Sequence, residues 1–126
     1  MSTPRPKILS IDDHQVLNFM RQKVLAVAGY DCDVASSADQ GISLAVTNHY
    51  DAVLLDYYLP GTTGVQVANT ISSVRPGLPI VLVTGEELHE SSAAVHSYLI
   101  KGEGPEALIA RLNSVVARKA MRAGAC

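Results

Sequence analysis

The sequence predicts an α/β domain built on a doubly wound, five-stranded parallel sheet with helices on both faces. Two observations carry this. Short apolar runs recur five times along the 126 residues, separated by longer segments whose apolar residues fall at steps of three and four. Such strand–helix alternation is satisfied by parallel strands joined through crossover helices. In addition, the run IVLV is apolar at every position, as befits a strand covered on both faces. The chain is far too short for an eight-stranded α/β barrel. With no repeat, low-complexity tract or linker, residues 1–126 read as one domain with a structured core of about 6–120.

Each element has its own signal. Lys7–Ile11 (KILSI) is the first strand. The helix after it carries Val16, Leu17, Met20, Val24, Leu25 and Ala28 as its apolar stripe and stops at Gly29. Asp31–Ala35 (DCDVA) is a second, more polar strand, which suits a sheet edge. Ser37 with Gln40 reads as a capping box that opens a helix through Ile42, Leu44, Ala45 and Val46. Residues 51–55 form the third strand, and Gly64–Val74 the next helix, with Val65, Val67, Ala68 and Ile71 on one side. The fourth strand, 79–84, follows the breakers Pro76 and Gly77. Residues 86–95 are mildly helical and 98–101 (YLIK) the fifth strand. The last helix opens at Pro105 and buries Leu108, Ile109, Leu112, Val115 and Val116.

Composition narrows the function. Hydrophobic residues make up 48% and charged residues 17%, the balance of a globular chain. A net charge of −2 offers no footprint for nucleic acid or an anionic membrane. No apolar run approaches the roughly 18 residues of a membrane span, and MSTPRPK lacks a secretory h-region. Cys32 and Cys126 form no disulfide framework and share no zinc-site spacing with His14, His49, His89 or His96, so a cytoplasmic setting is expected. The basic Arg118, Lys119 and Arg122 suit a helix C-terminus.

In open parallel sheets, functional groups collect at the carboxyl ends of the strands. Those ends carry Asp12 and Asp13 after the first strand, Asp56 after the third, Thr84 after the fourth and Lys101 after the fifth. Three carboxylates repel one another unless a cation intervenes, and one ammonium cannot balance them. A hard divalent ion such as Mg2+ is the natural remedy. A phosphoryl group on Asp56 would complete the set. Lys101 and the metal would neutralise its oxygens, the Thr84 hydroxyl would donate a hydrogen bond to one, and Asp56 would be the nucleophile that accepts it.

SIDD, VLLDYYLPGTTG, LVTG and YLIK, in that order and at the ends of successive strands, resemble the receiver domains of two-component response regulators along essentially the whole chain. The resemblance implies a flavodoxin-like, chemotaxis-regulator-like fold with strand order 2-1-3-4-5. It implies that Asp56 is the phospho-acceptor, Asp13 a direct Mg2+ ligand, Asp12 a ligand partly through water, and the Tyr58 backbone carbonyl a third ligand. Thr84 and Tyr98 would be the coupled switch pair, and Lys101 the phosphoryl-binding lysine. The expected activity is acceptance of a phosphoryl group from a histidine kinase or phosphotransfer protein, followed by a conformational switch toward an output partner, with no enzymatic turnover beyond self-phosphorylation and self-dephosphorylation.

Three features depart from the family pattern. Gly102 follows Lys101 where proline is usual, and a trans bond is expected there. Thr84 and Lys101 are 17 positions apart (101 − 84), and Ala94 and Val95 stand near the place of the usual Gly-Ala pair. A shortened or frayed fourth helix follows, with an altered output face. Two other functions compete: a receiver-like interaction module that works without phosphorylation, and a small Mg2+-dependent phosphatase with Asp56 as nucleophile. The phosphatase would want a second acid two positions on, where Tyr58 stands. A flavodoxin-like cofactor carrier would want a Ser/Thr-rich phosphate loop where DDHQ stands.

Overall fold

The computed structural model describes residues 5–85 and 92–124, the last five of these as backbone only. Strand β1 (Lys7–Ile11) leads into helix α1 (Gln15–Val27), β2 (Asp31–Ala35), α2 (Ala38–Thr47) and β3 (Ala52–Asp56). A two-residue hairpin, β4 (Tyr58–Leu59) with β5 (Thr62–Thr63), precedes α3 (Gly64–Val74), β6 (Ile80–Thr84), β7 (Ser97–Ile100) and α4 (Pro105–Gly124). The main sheet is parallel with order β2-β1-β3-β6-β7, which is the expected 2-1-3-4-5 once the hairpin is set aside.

Alternation along the strands divides the core in two. Leu9, Val53, Leu55, Ile80 and Leu82 point to the face covered by α2 and α3, with Val65, Ala68 and Ile71 packed on them. Ile8, Leu54, Val81, Val83 and Leu99 point to the other face, against Leu25 of α1 and Leu108, Leu112 and Val115 of α4. β3 and β6, in the middle, are buried at every position, whereas β2 at the edge is only partly covered. Burial of each large side chain contributes roughly 1.5–3 kcal/mol, so this two-sided packing supplies most of the driving force.

Local signals account for the helix ends. α1 closes in a Schellman motif: Tyr30 N–H donates to Leu25 O at 2.9 Å and Gly29 N–H to Ala26 O at 3.2 Å, with Gly29 at φ +99°. Ser37 caps α2 by accepting from Gln40 N–H at 3.1 Å, but the Gln40 side chain accepts from Ser36 N–H and not from Ser37, so the expected reciprocal box is broken by one residue. A true capping box sits instead at Thr63 and Gln66, fixing the start of α3.

One expectation is corrected. Most of the apolar stripe of α1 does not face the core: Val16 is 65% exposed and Met20 58%, and Leu25 is its one fully buried member, beside the buried Asn18 and Arg21. The physical reason is that a buried carboxylate and backbone carbonyls with acceptor capacity to spare lie under this helix and take donors from Asn18 and Arg21, which outweighs the apolar pattern. Of the fourth crossover, read as mildly helical over 86–95, residues 86–91 lie outside the described residues; the described part, 92–96, is a turn in which Val95 N–H donates to Ser92 O at 3.1 Å.

Gly64 is the tightest backbone approach in the molecule that bears on the strand ends. A Cβ there would lie 2.5 Å from Asp56 O and 2.9 Å from Tyr57 Cα, neither of which can rotate away. Gly64→Ala is therefore expected to lower unfolding free energy by about 2 kcal/mol, whereas Gly85→Ala, whose added methyl meets nothing within 4 Å, stays within about 0.5 kcal/mol. Urea unfolding of the two variants checks this. Equal losses in both would show that the Gly64 contact is slack.

Candidate functional site

β1 and β3 are neighbours in the sheet, and their last register pair is Ile11 with Leu55. The next residues, Asp12 and Asp56, therefore leave the sheet side by side. Their carboxylate oxygens and that of Asp13 all lie within 4.8 Å of one another. Asp12 is fully buried and Asp56 2% exposed, whereas Asp13 faces solvent. The parallel sheet thus places three acids at one edge because their strands end there together.

Asp56 is held on one side by Lys101, whose Nζ donates to Oδ2 at 3.2 Å and lies 3.1 Å from Oδ1. Oδ1 is nonetheless buried without a hydrogen-bond partner. Burial, and secondarily the charge of Asp12, raise the Asp56 carboxyl above the ordinary aspartate range; the Lys101 ammonium and a backbone hydrogen bond from Tyr58 only partly offset this. β3 continues past Asp56 through Tyr57 N–H to Val83 O, after which Tyr57 O accepts from Gly64 N–H at 2.6 Å. That bond pins the start of α3 beside the carboxylate and turns Tyr58, two residues beyond Asp56, into the hairpin.

The remaining candidates line the same edge. Asp56 pairs in register with Val83, so Thr84, buried at the end of β6, is one step further along. Thr84 pairs with Ile100, and Lys101 N–H donates to Thr84 O at 2.7 Å, tying the lysine backbone to the threonine. Tyr98 lies on the edge strand opposite Leu82 and is 38% exposed. Gly102 takes φ +92° directly after Lys101, and no cis peptide bond occurs among the described residues. His96 sits at the opposite end of β6, where its Nδ1 accepts from Ile80 N–H at 3.2 Å.

Asp12 belongs to a network that strand-end reasoning alone does not find. Its Oδ1 accepts from His14 N–H at 2.9 Å and its Oδ2 from the Arg21 guanidinium at 3.4 Å. Arg21, 8% exposed, also donates to Ser10 Oγ at 2.8 Å. Asn18 donates to the carbonyls of Ser10, Asp12 and Ala35. The signal in the sequence was the pair of polar residues, Asn18 and Arg21, three apart and interleaved with the apolar stripe of the helix.

The site fits a hard divalent cation. Its donors are carboxylate oxygens in one cluster, and a buried, unpartnered Oδ1 on Asp56 leaves an acceptor for an ion to satisfy. Asp13 supplies the accessible charge, and Asp12 and Asp56 the buried ones.

A family model described as the response regulator receiver domain matches residues 8–113. The chain is 32% identical over 118 residues to the phosphate regulon transcriptional regulatory protein PhoB of Pseudomonas aeruginosa, covering 88% of this chain and 52% of that protein. It is 29% identical over 121 residues to the transcriptional regulatory protein ResD of Bacillus subtilis, covering 92% and 50%. The chain thus spans about half the length of the curated relatives it matches. Among solved structures, a CheY-like receiver domain from Methanospirillum hungatei superposes with a TM-score of 0.89 at 22% identity, covering 94% of this chain and 99% of that one. The response regulator TrrA of Thermotoga maritima, in complex with Mg2+–BeF, superposes with a TM-score of 0.81 at 25% identity, covering 87% and 98%.

Crowding at Asp56 has a thermodynamic signature without metal. A carboxyl whose folded value is raised keeps its proton in the native state after the unfolded chain has lost it, so stability falls as pH rises from the ordinary aspartate range through the raised value. Asp56→Asn, measured in chelator, is expected to be more stable than wild type by roughly 1–2 kcal/mol at neutral pH, because it removes a buried negative charge crowded by Asp12. The gap should close as pH falls below that range. Urea unfolding against pH reads this; a variant less stable at neutral pH would contradict it.

Proposed function

The chain belongs to the response regulator receiver domain family, and from that premise we propose that it works as a single phospho-acceptor domain with Asp56 as the acceptor. The observation that carries the reading is the Asp56 carboxylate itself: buried, crowded by Asp12, held by Lys101 and left with one oxygen that has no hydrogen bond.

An Asp56 oxygen attacks the phosphorus of a phosphohistidine on a histidine kinase or phosphotransfer protein. The P–N bond breaks with its electron pair going to the imidazole, which takes a proton from solvent, and a mixed aspartyl-phosphate anhydride forms. Lys101, already on Asp56, pairs with the incoming phosphoryl oxygens, and the Thr84 hydroxyl donates a hydrogen bond to one of them. Asp13, Asp56 and the Tyr58 carbonyl, with Asp12 acting partly through water, would hold a Mg2+ ion, which when bound would supply the positive charge that these oxygens require. The added phosphate charge draws Thr84 and Lys101 inward. Because the Lys101 amide is bonded to Thr84 O, β6 and β7 move as one, and Tyr98 on β7 turns from its exposed position.

The output partner reads that change. The domain is a switch, with no turnover of a separate substrate. The relatives named above are transcriptional regulators about twice this length, and the matched half is the receiver. Against the phosphatase alternative stands Tyr58, which offers no acid or base two positions after Asp56.

Intact-mass analysis after incubation with acetyl phosphate and Mg2+ tests the assignment. One phosphoryl group is expected on wild type and none on Asp56→Asn or in excess chelator. Labelling of the Asn variant at wild-type level would move the acceptor elsewhere; a folded wild type that takes up none would favour the phosphorylation-independent module.

A further inference from the structure

Arg21 is the least expected residue at this site. It is a buried arginine on the inward face of α1, ion-paired to a carboxylate that is fully buried. Burying two charges is costly, and such a pair persists where its geometry is held by further hydrogen bonds. Here it is held. Ser10 Oγ accepts from the guanidinium at 2.8 Å, and Ser10 Oγ in turn donates to Asn18 Oδ1. Asn18 is itself anchored on three backbone carbonyls, and the His14 N–H fixes the other Asp12 oxygen.

We propose that Arg21 is a resident counter-cation of the acidic cluster, a positioning residue that clamps Asp12 between its guanidinium and the His14 N–H and thereby keeps divalent-ion affinity low until phosphoryl charge arrives. The inference rests on the reading that the cluster holds a divalent cation. The charge count supports it. Three carboxylates face two built-in cations, Lys101 on Asp56 and Arg21 on Asp12, which leaves a single net negative charge before any ion enters. An incoming divalent ion meets repulsion from a guanidinium that cannot lose its proton and cannot swing into solvent. Both Asp12 oxygens already have donors, so the acceptors open to a new ligand are those of exposed Asp13 and the Asp56 Oδ1 that lacks a hydrogen bond. A phosphoryl group on Asp56 adds nearly two negative charges and reverses the balance. Ion and phosphoryl uptake then favour each other, and the coupling is reciprocal.

Titration with Mg2+ alone, followed by amide NMR without any phosphodonor, tests the proposal on wild type, Arg21→Lys and Arg21→Met. Arg21→Met, which keeps the packing volume and removes the charge, is expected to bind Mg2+ about tenfold more tightly than wild type. Arg21→Lys keeps the charge and should stay within about threefold of wild type. A merely structural arginine predicts the opposite order, with Arg21→Met binding more weakly because Asp12 is left loose. If Arg21→Met does not fold, the comparison moves to Asp12→Asn against Asp12→Asn/Arg21→Met, in which no unpaired buried carboxylate remains; the double variant should again bind about tenfold more tightly. Equal affinities across either comparison overturn the role of Arg21 while leaving the metal site standing. Absence of Mg2+ binding in the folded wild type and variants alike overturns both.

Discussion

The structure turns on one constraint: β1 and β3 are adjacent parallel strands that end in acids. Their register brings Asp12 and Asp56 out of the sheet together, with Asp13 one residue on. Like charges so placed cannot all be ionised and dry without cations nearby. Much of what surrounds them follows from that need. Lys101 reaches across from the end of β7 to Asp56, and Arg21 comes up from α1 to Asp12. The inward face of α1 gives up apolar burial at Asn18 and Arg21 to serve this end of the sheet. The close approach at Gly64, where Tyr57 O takes the first amide of α3, keeps the end of β3 from drifting.

The charge arrangement also explains why the site is poised. Asp56 keeps a buried oxygen without a hydrogen bond, an unfavourable state that a metal ion or a covalent phosphoryl group relieves. The Lys101 amide bond to Thr84 O ties the lysine that holds Asp56 to the end of β6, beside the edge strand on which Tyr98 is exposed. Gly102, at φ +92°, lets the chain leave β7 sharply enough to set Lys101 over the acids in the place where the family usually has proline.

Much of this was legible in the sequence because strand ends are easy to read. The five apolar runs place Asp12, Asp13, Asp56, Thr84 and Lys101 at one edge, and the structure brings all of them there. Gly64–Val74 and the opening at Pro105 are also as read, since capping and apolar spacing agree at both. The face of α1 was not legible. Its periodicity favours Val16, Leu17 and Met20, and the demand that overrode it comes from carbonyls of Ser10, Asp12 and Ala35 that only the folded sheet brings together. The break in the Ser37–Gln40 box is a one-residue choice of donor, Ser36 over Ser37, below the resolution of a sequence pattern. The β4–β5 hairpin was hidden because Pro60 and Gly61 announce a turn without showing that its arms pair.

The central claim is that the Asp56 carboxylate is electrostatically crowded and awaits a cation. Carboxyl-carbon NMR of the intact chain reads that group directly, by following its titration with and without Mg2+. Without metal, the Asp56 midpoint should lie above that of an ordinary aspartate, and Mg2+ should move it downward. A midpoint at or below the ordinary value that ignores Mg2+ would contradict the account.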